Sequence, residues 1–324
     1  MMLKLISAIP ALRGLALAAI VTASLGAATD ACAYTAEDYK RAVVPCLKVQ
    51  DYACAQKNYE QYLRLRPDDT TVIVNLGQVM AWQDNYRGAI AQYEKALDMG
   101  EGAYNLFAYY ADALAKVGRI DEAIDWSYKA LSVVPTLIDV RGNLAKLLVH
   151  QKRYYEALSL ISSYDATLEA KGESPYFAAQ RIAIESLIDR YGTTMPTTES
   201  TLRLSRLGKF FIAPVTAGDT HPISFMVDTG ASVVVVNDYF LNAAKVKYTS
   251  GGNIMAMTAD GHMTTARKIT IESLHIGPYE LKNLPAAACA TCALLLGQTA
   301  LERFDMKSTK VQGVEFMTLS PRKM

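Results

Sequence analysis

The sequence has 324 residues, 33 Lys+Arg against 32 Asp+Glu, and 51% hydrophobic side chains. That length suits about two globular domains. A net charge near zero excludes nucleic-acid binding driven by overall positive charge, and the apolar fraction with 19 tyrosines excludes a disordered, low-complexity chain.

Residues 1–33 read as an address. Lys4 and Arg13 are the only basic residues there, followed by an apolar run from Gly14 to Ala28. The run is shorter than the ~20 residues a membrane-spanning helix needs. Ala31-Cys32-Ala33 fits a small-x-small cleavage site before Tyr34. The expectation is a cleaved secretory signal and a mature chain in a bacterial periplasm or outside the cell. The alternative is an uncleaved inner-membrane anchor. No later segment is apolar for long enough to span a bilayer, so no other membrane contact is expected.

Cleavage after Ala33 removes Cys32 and leaves Cys46, Cys54, Cys289 and Cys292. In an oxidising compartment these allow two local disulfides, Cys46–Cys54 and Cys289–Cys292, among three possible pairings. Cys289-Ala-Thr-Cys292 could instead form a redox or metal half-site, the weaker reading beside a structural disulfide or buried thiols. It lacks the second cysteine pair or nearby histidines of a zinc site, so no metal and no cofactor are expected.

A 34-residue self-similarity follows. Ala55, Ala89, Ala123 and Ala157 recur at that interval, each at the end of a motif such as Tyr86-Arg-Gly-Ala89 or Ile120-Asp-Glu-Ala123. Twelve residues before each stands Val43, Gly77, Ala111 or Ala145. Such small or modest side chains let two helices approach closely. Pro67 and Pro135 mark helix ends, because proline cannot continue a helix interior. This pattern resembles the tetratricopeptide repeat over about residues 35–170, with an amphipathic segment from Tyr176 to Tyr191 as a cap. The resemblance implies an all-α solenoid with a groove for a peptide or protein partner. The first-helix residues Trp82, Asp112, Lys116, Lys146 and His150 form no basic clamp for a terminal carboxylate.

Residues 192–200 are polar, with Gly192 and Pro196, and read as a linker. Charge changes across them: residues 34–200 carry net −4 and residues 201–324 net +4, which reads equally as a weak attraction between domains or as scatter. The reading divides the chain into a signal at 1–33, a helical repeat domain at 34–191, a linker at 192–200 and a β domain at 201–324.

From Phe210 the period shortens to that of strands. Phe210–Val215, a turn at 217–222 and Ile223–Val227 form a hairpin that runs into Asp228-Thr229-Gly230-Ala-Ser. An aspartate directly after an apolar strand is unfavourable unless hydrogen-bonded or sharing a proton. Met257-Thr-Ala259-Asp260-Gly261-His262 reads as a hairpin tip, and Leu295-Leu296-Gly297 as an apolar strand ending in glycine before a short helix.

These three pieces together resemble the retropepsin-like aspartic proteases, over about residues 205–320. The resemblance implies an all-β domain, Asp228 as the catalytic carboxylate, Ala259, Asp260 and Gly261 in a flap over substrate, and Thr229, Gly230, Leu295, Leu296 and Gly297 supporting the active-site loop. The family uses two aspartates that share one proton. This chain has no second Asp-Thr-Gly, so activity implies a homodimer with one Asp228 from each chain. Gln298 stands where retroviral members usually carry Arg. The multidomain reading is therefore an exported aspartic endopeptidase whose repeats recruit substrate. Its alternative is an adaptor whose protease-like domain only dimerises or binds peptide.

Overall fold

The computed structural model describes residues 34–169, 171–191, 201–207, 210–218, 222–257 and 263–322. The signal segment at 1–33, the linker at 192–200 and the flap tip at 258–262 lie outside the described residues. No helix among the described residues is long and apolar enough to cross a membrane.

Four antiparallel helix pairs form the first half: α1 (Ala36–Lys48) with α2 (Tyr52–Leu65), α3 (Thr70–Trp82) with α4 (Tyr86–Asp98), α5 (Tyr104–Lys116) with α6 (Ile120–Val133), and α7 (Ile138–His150) with α8 (Tyr154–Glu169). A ninth, α9 (Ala178–Tyr191), packs on α8. The four alanines of the 34-residue period are all fully buried. The same period appears in the backbone. Gln50, Asp84, Gly118 and Lys152, one in each intra-pair turn, all have positive φ. Asp51, Asp69 and Asn85 cap α2, α3 and α4 by accepting hydrogen bonds from Cys54 N, Val72 N and Gly88 N. Helices α5, α6 and α7 have no side-chain cap, so their starts depend on packing alone.

Gly77 of α3 leaves room for the Tyr93 ring of α4. A Cβ there would stand 2.5 Å from Cε1 of Tyr93, whose side chain is fully buried. Gly77→Ala is expected to lower folding stability by about 1–3 kcal/mol through overpacking. Urea unfolding reads this. Tyr93→Phe keeps the clashing ring edge and should not rescue it, whereas Tyr93→Leu in the Gly77→Ala background should recover part of the loss.

The second half is one sheet of ten strands: β1 (Leu202–Leu207), β2 (Phe210–Thr216), β3 (Ile223–Val227), β4 (Val234–Asn237), β5 (Tyr248–Met257), β6 (Met263–Ile276), β7 (Tyr279–Cys289), β8 (Leu295–Leu296), β9 (Phe304–Val311) and β10 (Val314–Pro321). The order is β5-β6-β7-β4-β8-β3-β2-β1-β10-β9, and an extra pairing of β6 with β2 closes the middle of the sheet on itself. Two short helices, α10 (Asp238–Ala243) and α11 (Gln298–Leu301), follow β4 and β8. Phe225, Phe240, Ile271, Leu296 and Phe304 lie at the centre of the core.

The two halves share packing. Helix α8 lies against β1, β2 and β3, and α6 against β10. Val314 and Phe316 belong to the same buried cluster as Ile124, Tyr128 and Leu158, while Tyr155 packs into the β core. Tyr128 meets the Phe316 ring edge-on at 4.8 Å. The Arg203 guanidinium sits 3.5 Å from the Phe316 centroid and pairs with Asp125 at 3.2 Å. Tyr128 also donates to Glu156 at 2.7 Å, and burial pushes its phenol well above the ordinary range. The contact is thus a desolvated aromatic seam crossed by the Arg203–Asp125 ion pair.

Candidate active site

The loop that carries Asp228 is built by splitting two strands with a third. Strands β3 and β4 do not pair with each other. The two-residue β8 lies between them, parallel to β3 and antiparallel to β4. Met226 N donates to Leu294 O, and Asp228 N donates to Leu296 O, both at 3.0 Å. The chain leaves β3 at Asp228, turns, and returns on the far side of β8 as β4. A strand of only two residues suffices because both of its edges are paired.

Within the turn, Gly230 N donates to Asp228 Oδ1 at 2.9 Å, which directs the carboxylate. Asp228 is half-buried, while Thr229, Gly230 and Ser232 are exposed. Gly297 backs the loop. Its φ is −92°, an ordinary value, so the requirement for glycine here is space. A Cβ on Gly297 would lie 2.1 Å from Val233 O and 2.7 Å from Ala231 O.

Two further residues hold the loop, and a third braces the turn at Cys292 beside it. Gln298 donates twice, from its backbone N to Ala231 O at 2.8 Å and from Nε2 to Thr229 O at 2.7 Å. Thr299 Oγ1 accepts from Val234 N at 3.1 Å and donates to Pro285 O at 2.8 Å. Asn237 Oδ1 accepts from Phe240 N at 2.8 Å, and its Nδ2 donates to Cys292 O at 3.0 Å. Sequence reasoning named Gln298 only as a departure and missed Thr299 and Asn237. Their partners Val234 and Cys292 lie 65 and 55 residues away, and the local cap that Asn237 makes on α10 does not itself point to the site.

The structure brings Asp228, Thr229, Gly230, Leu295, Leu296 and Gly297 into one place. It bonds Cys289 to Cys292 in the turn between β7 and β8, next to Asn237, and Cys46 to Cys54 between α1 and α2, remote from this site in the fold. Ala259, Asp260 and Gly261 lie outside the described residues, but the strands leading to them pair up to Met257 opposite Met263. Met255 and Met263 on these strands are exposed, as is Tyr239 on α10. Asp305 lies in β9, paired with Arg322 at 2.9 Å. No cluster of three or more potential metal ligands exists among the described residues.

Residues 214–303 match the family described as "gag-polyprotein putative aspartyl protease", and residues 70–105 match the tetratricopeptide repeat. The chain carries tetratricopeptide repeats and a retropepsin-like domain. Among solved structures, a retropepsin-like aspartic protease from Rickettsia conorii is 28% identical, covering 37% of this chain and 89% of its own, with a TM-score of 0.28. MamA from Desulfovibrio magneticus RS-1 is 18% identical, covering 43% of this chain and 78% of its own, with a TM-score of 0.40. No curated protein sequence matches the chain. The retropepsin-like match begins inside β2 and ends before β9. It contains Asp228 and Gly297 and leaves out β1 and the β9–β10 hairpin, which pack against the repeat array together with β2 and β3.

Proposed function

We propose that the protein is an exported aspartic endopeptidase, active as a homodimer in which each chain supplies one Asp228. The observation that carries this reading is the Asp228 turn itself: a half-buried carboxylate directed by Gly230 N, on a loop held by Gln298, Thr299 and the close approach of Gly297. In such a dimer the two carboxylates lie across the two-fold axis and share one proton, because two like charges at ~3 Å cannot both ionise. The ionised one takes a proton from water as that water attacks the scissile carbonyl. The protonated one hydrogen-bonds the carbonyl oxygen as negative charge develops there. An extended peptide would lie along the exposed Met255 and Met263 of the β5–β6 hairpin.

The β domain covers the second helices α6 and α8. A peptide partner of the repeats would then use the first-helix side, where α7 and residues 176–180 line an open pocket of about 290 Å³ that includes Lys146, Asn143 and Phe177.

Mixing tests the shared site. At concentrations where dimers are complete, wild type re-equilibrated with an equal amount of Asp228→Asn leaves about a quarter of all dimers with two aspartates. Cleavage of an unfolded protein should then drop to about half that of the same wild-type amount alone. Unchanged cleavage would mean that each chain acts by itself. No cleavage by a proven wild-type dimer would favour the adaptor. Export is checked separately: the mature protein from cells should begin at Tyr34.

A further inference from the structure

The seam between the repeat array and the β domain encloses a cavity of about 350 Å³. Its wall comes from both halves. Leu131, Arg141 and Ser163 stand on α6, α7 and α8, and Arg206, Lys310 and Phe316 on β1, β9 and β10. Three cations line it, against one carboxylate, Glu315, which pairs with Arg206 at 2.8 Å.

Arg141 is the unusual member. It is 5% exposed. Its Nη1 donates to Leu160 O at 2.8 Å and its Nη2 to Pro135 O at 2.7 Å, both neutral acceptors. Its Nε has no hydrogen-bond partner. The carboxylate that acts on it through space, Asp165, is itself engaged by Tyr176 N and Phe177 N at 2.9 and 3.0 Å. Burial therefore prevails, and the guanidinium is pulled below its ordinary pKa. Arg141 is thus a buried charge on the cavity wall whose hydrogen bonds go to neutral carbonyls, an arrangement that calls for an anion.

We propose that this cavity binds a small organic carboxylate, with its acidic group at Arg141 and Lys310 and a short apolar chain against Leu131 and Phe316. The chemistry selects the class. Glu315 already offsets Arg206, so the cations left for a ligand are Arg141 and Lys310, set in a wall shared with Leu131 and Phe316. Apolar walls favour an organic chain over a bare inorganic ion. The volume lies at the low end of the ~300–1,000 Å³ typical of small-molecule sites, so the ligand is of the size of a capped amino acid. The site lies outside the segments that match either family, since those segments span 70–105 and 214–303. Because its wall is shared, a bound carboxylate holds the two halves together and stabilises the docked arrangement by mass action.

The test uses the full mature chain and three probes of increasing size: the N-acetyl derivatives of alanine, leucine and phenylalanine. Each is compared with its C-terminal amide and with inorganic phosphate, by calorimetric titration and thermal unfolding. At least one free acid should bind below about 1 mM. It should raise Tm, and its amide should bind at least about 10-fold more weakly. Lys310→Glu, a change on an exposed strand, should weaken that acid by about 10-fold. Arg141→Gln should abolish binding where circular dichroism shows it folded; if it unfolds, Lys310→Glu alone decides. The proposal is overturned if no acid binds in that range, if the amide or phosphate binds as tightly as the acid, or if Lys310→Glu leaves affinity unchanged.

Discussion

Asn in place of Asp228 is expected to reduce peptide-bond cleavage by ~10³-fold or more, the scale of losing general acid–base catalysis at one centre. The change removes the chemistry and keeps the shape. Asn retains an Oδ1 that can accept from Gly230 N, the bond that Asp228 accepts at 2.9 Å. The loop's other supports, Asp228 N donating to Leu296 O and Gln298 Nε2 donating to Thr229 O, do not involve the carboxylate. The amide cannot take a proton from water or share one with a second carboxylate. In a dimer, one close pair of acids is also removed, so association should be unchanged or tighter. Cleavage of an unfolded protein, followed beside sedimentation of the same samples, separates these effects. If Asp228→Asn keeps more than about a tenth of wild-type turnover, the aspartate mechanism is wrong. If turnover vanishes together with the dimer, the residue's role is in assembly.

What could be read in advance follows from where each residue's partners lie. The repeat array was legible because every 34-residue unit buries the same alanine position and keeps a small or modest residue twelve before it, as at Gly77 and Ala89. The turns were less so. Gln50, Asp84 and Lys152 adopt positive φ as Gly118 does, yet only the glycine announces it. In the β domain, Asp228-Thr229-Gly230 and Leu295-Leu296-Gly297 stood out because apolar strands run straight into them. The β9–β10 hairpin did not stand out. Residues 305–308 of β9 are all exposed, so the strand shows no alternating pattern. The seam was hidden for another reason. Tyr128 and Phe316 each look like core residues of their own half, and only the fold shows that they complete one cluster.

Gly297→Ala is expected to damage the site as severely as any change that leaves Asp228 in place. The added methyl would meet Val233 O at 2.1 Å, Val233 C at 2.5 Å and Ala231 O at 2.7 Å. These are backbone atoms of the Asp228 loop, not the ends of flexible side chains, so either the loop or β8 must move. The backbone angles at Gly297 suit alanine, so no conformational penalty is mixed with the steric one. Movement here pulls Gln298 N from Ala231 O and Gln298 Nε2 from Thr229 O. Overpacking of this kind costs about 1–3 kcal/mol. A displacement of ~1 Å at a catalytic group lowers turnover by ~10²-fold. Gln298→Ala provides the scale, since it removes the Thr229 bond without adding bulk and should cost about 0.5–1.5 kcal/mol. Urea unfolding and turnover on one substrate, measured for both variants, give the comparison. A Gly297→Ala protein that unfolds at the wild-type urea midpoint and cuts at the wild-type rate would show that β8 does not press against the loop as described. Loss of both, larger than for Gln298→Ala, would show that Gly297 positions Asp228 through the backbone it touches.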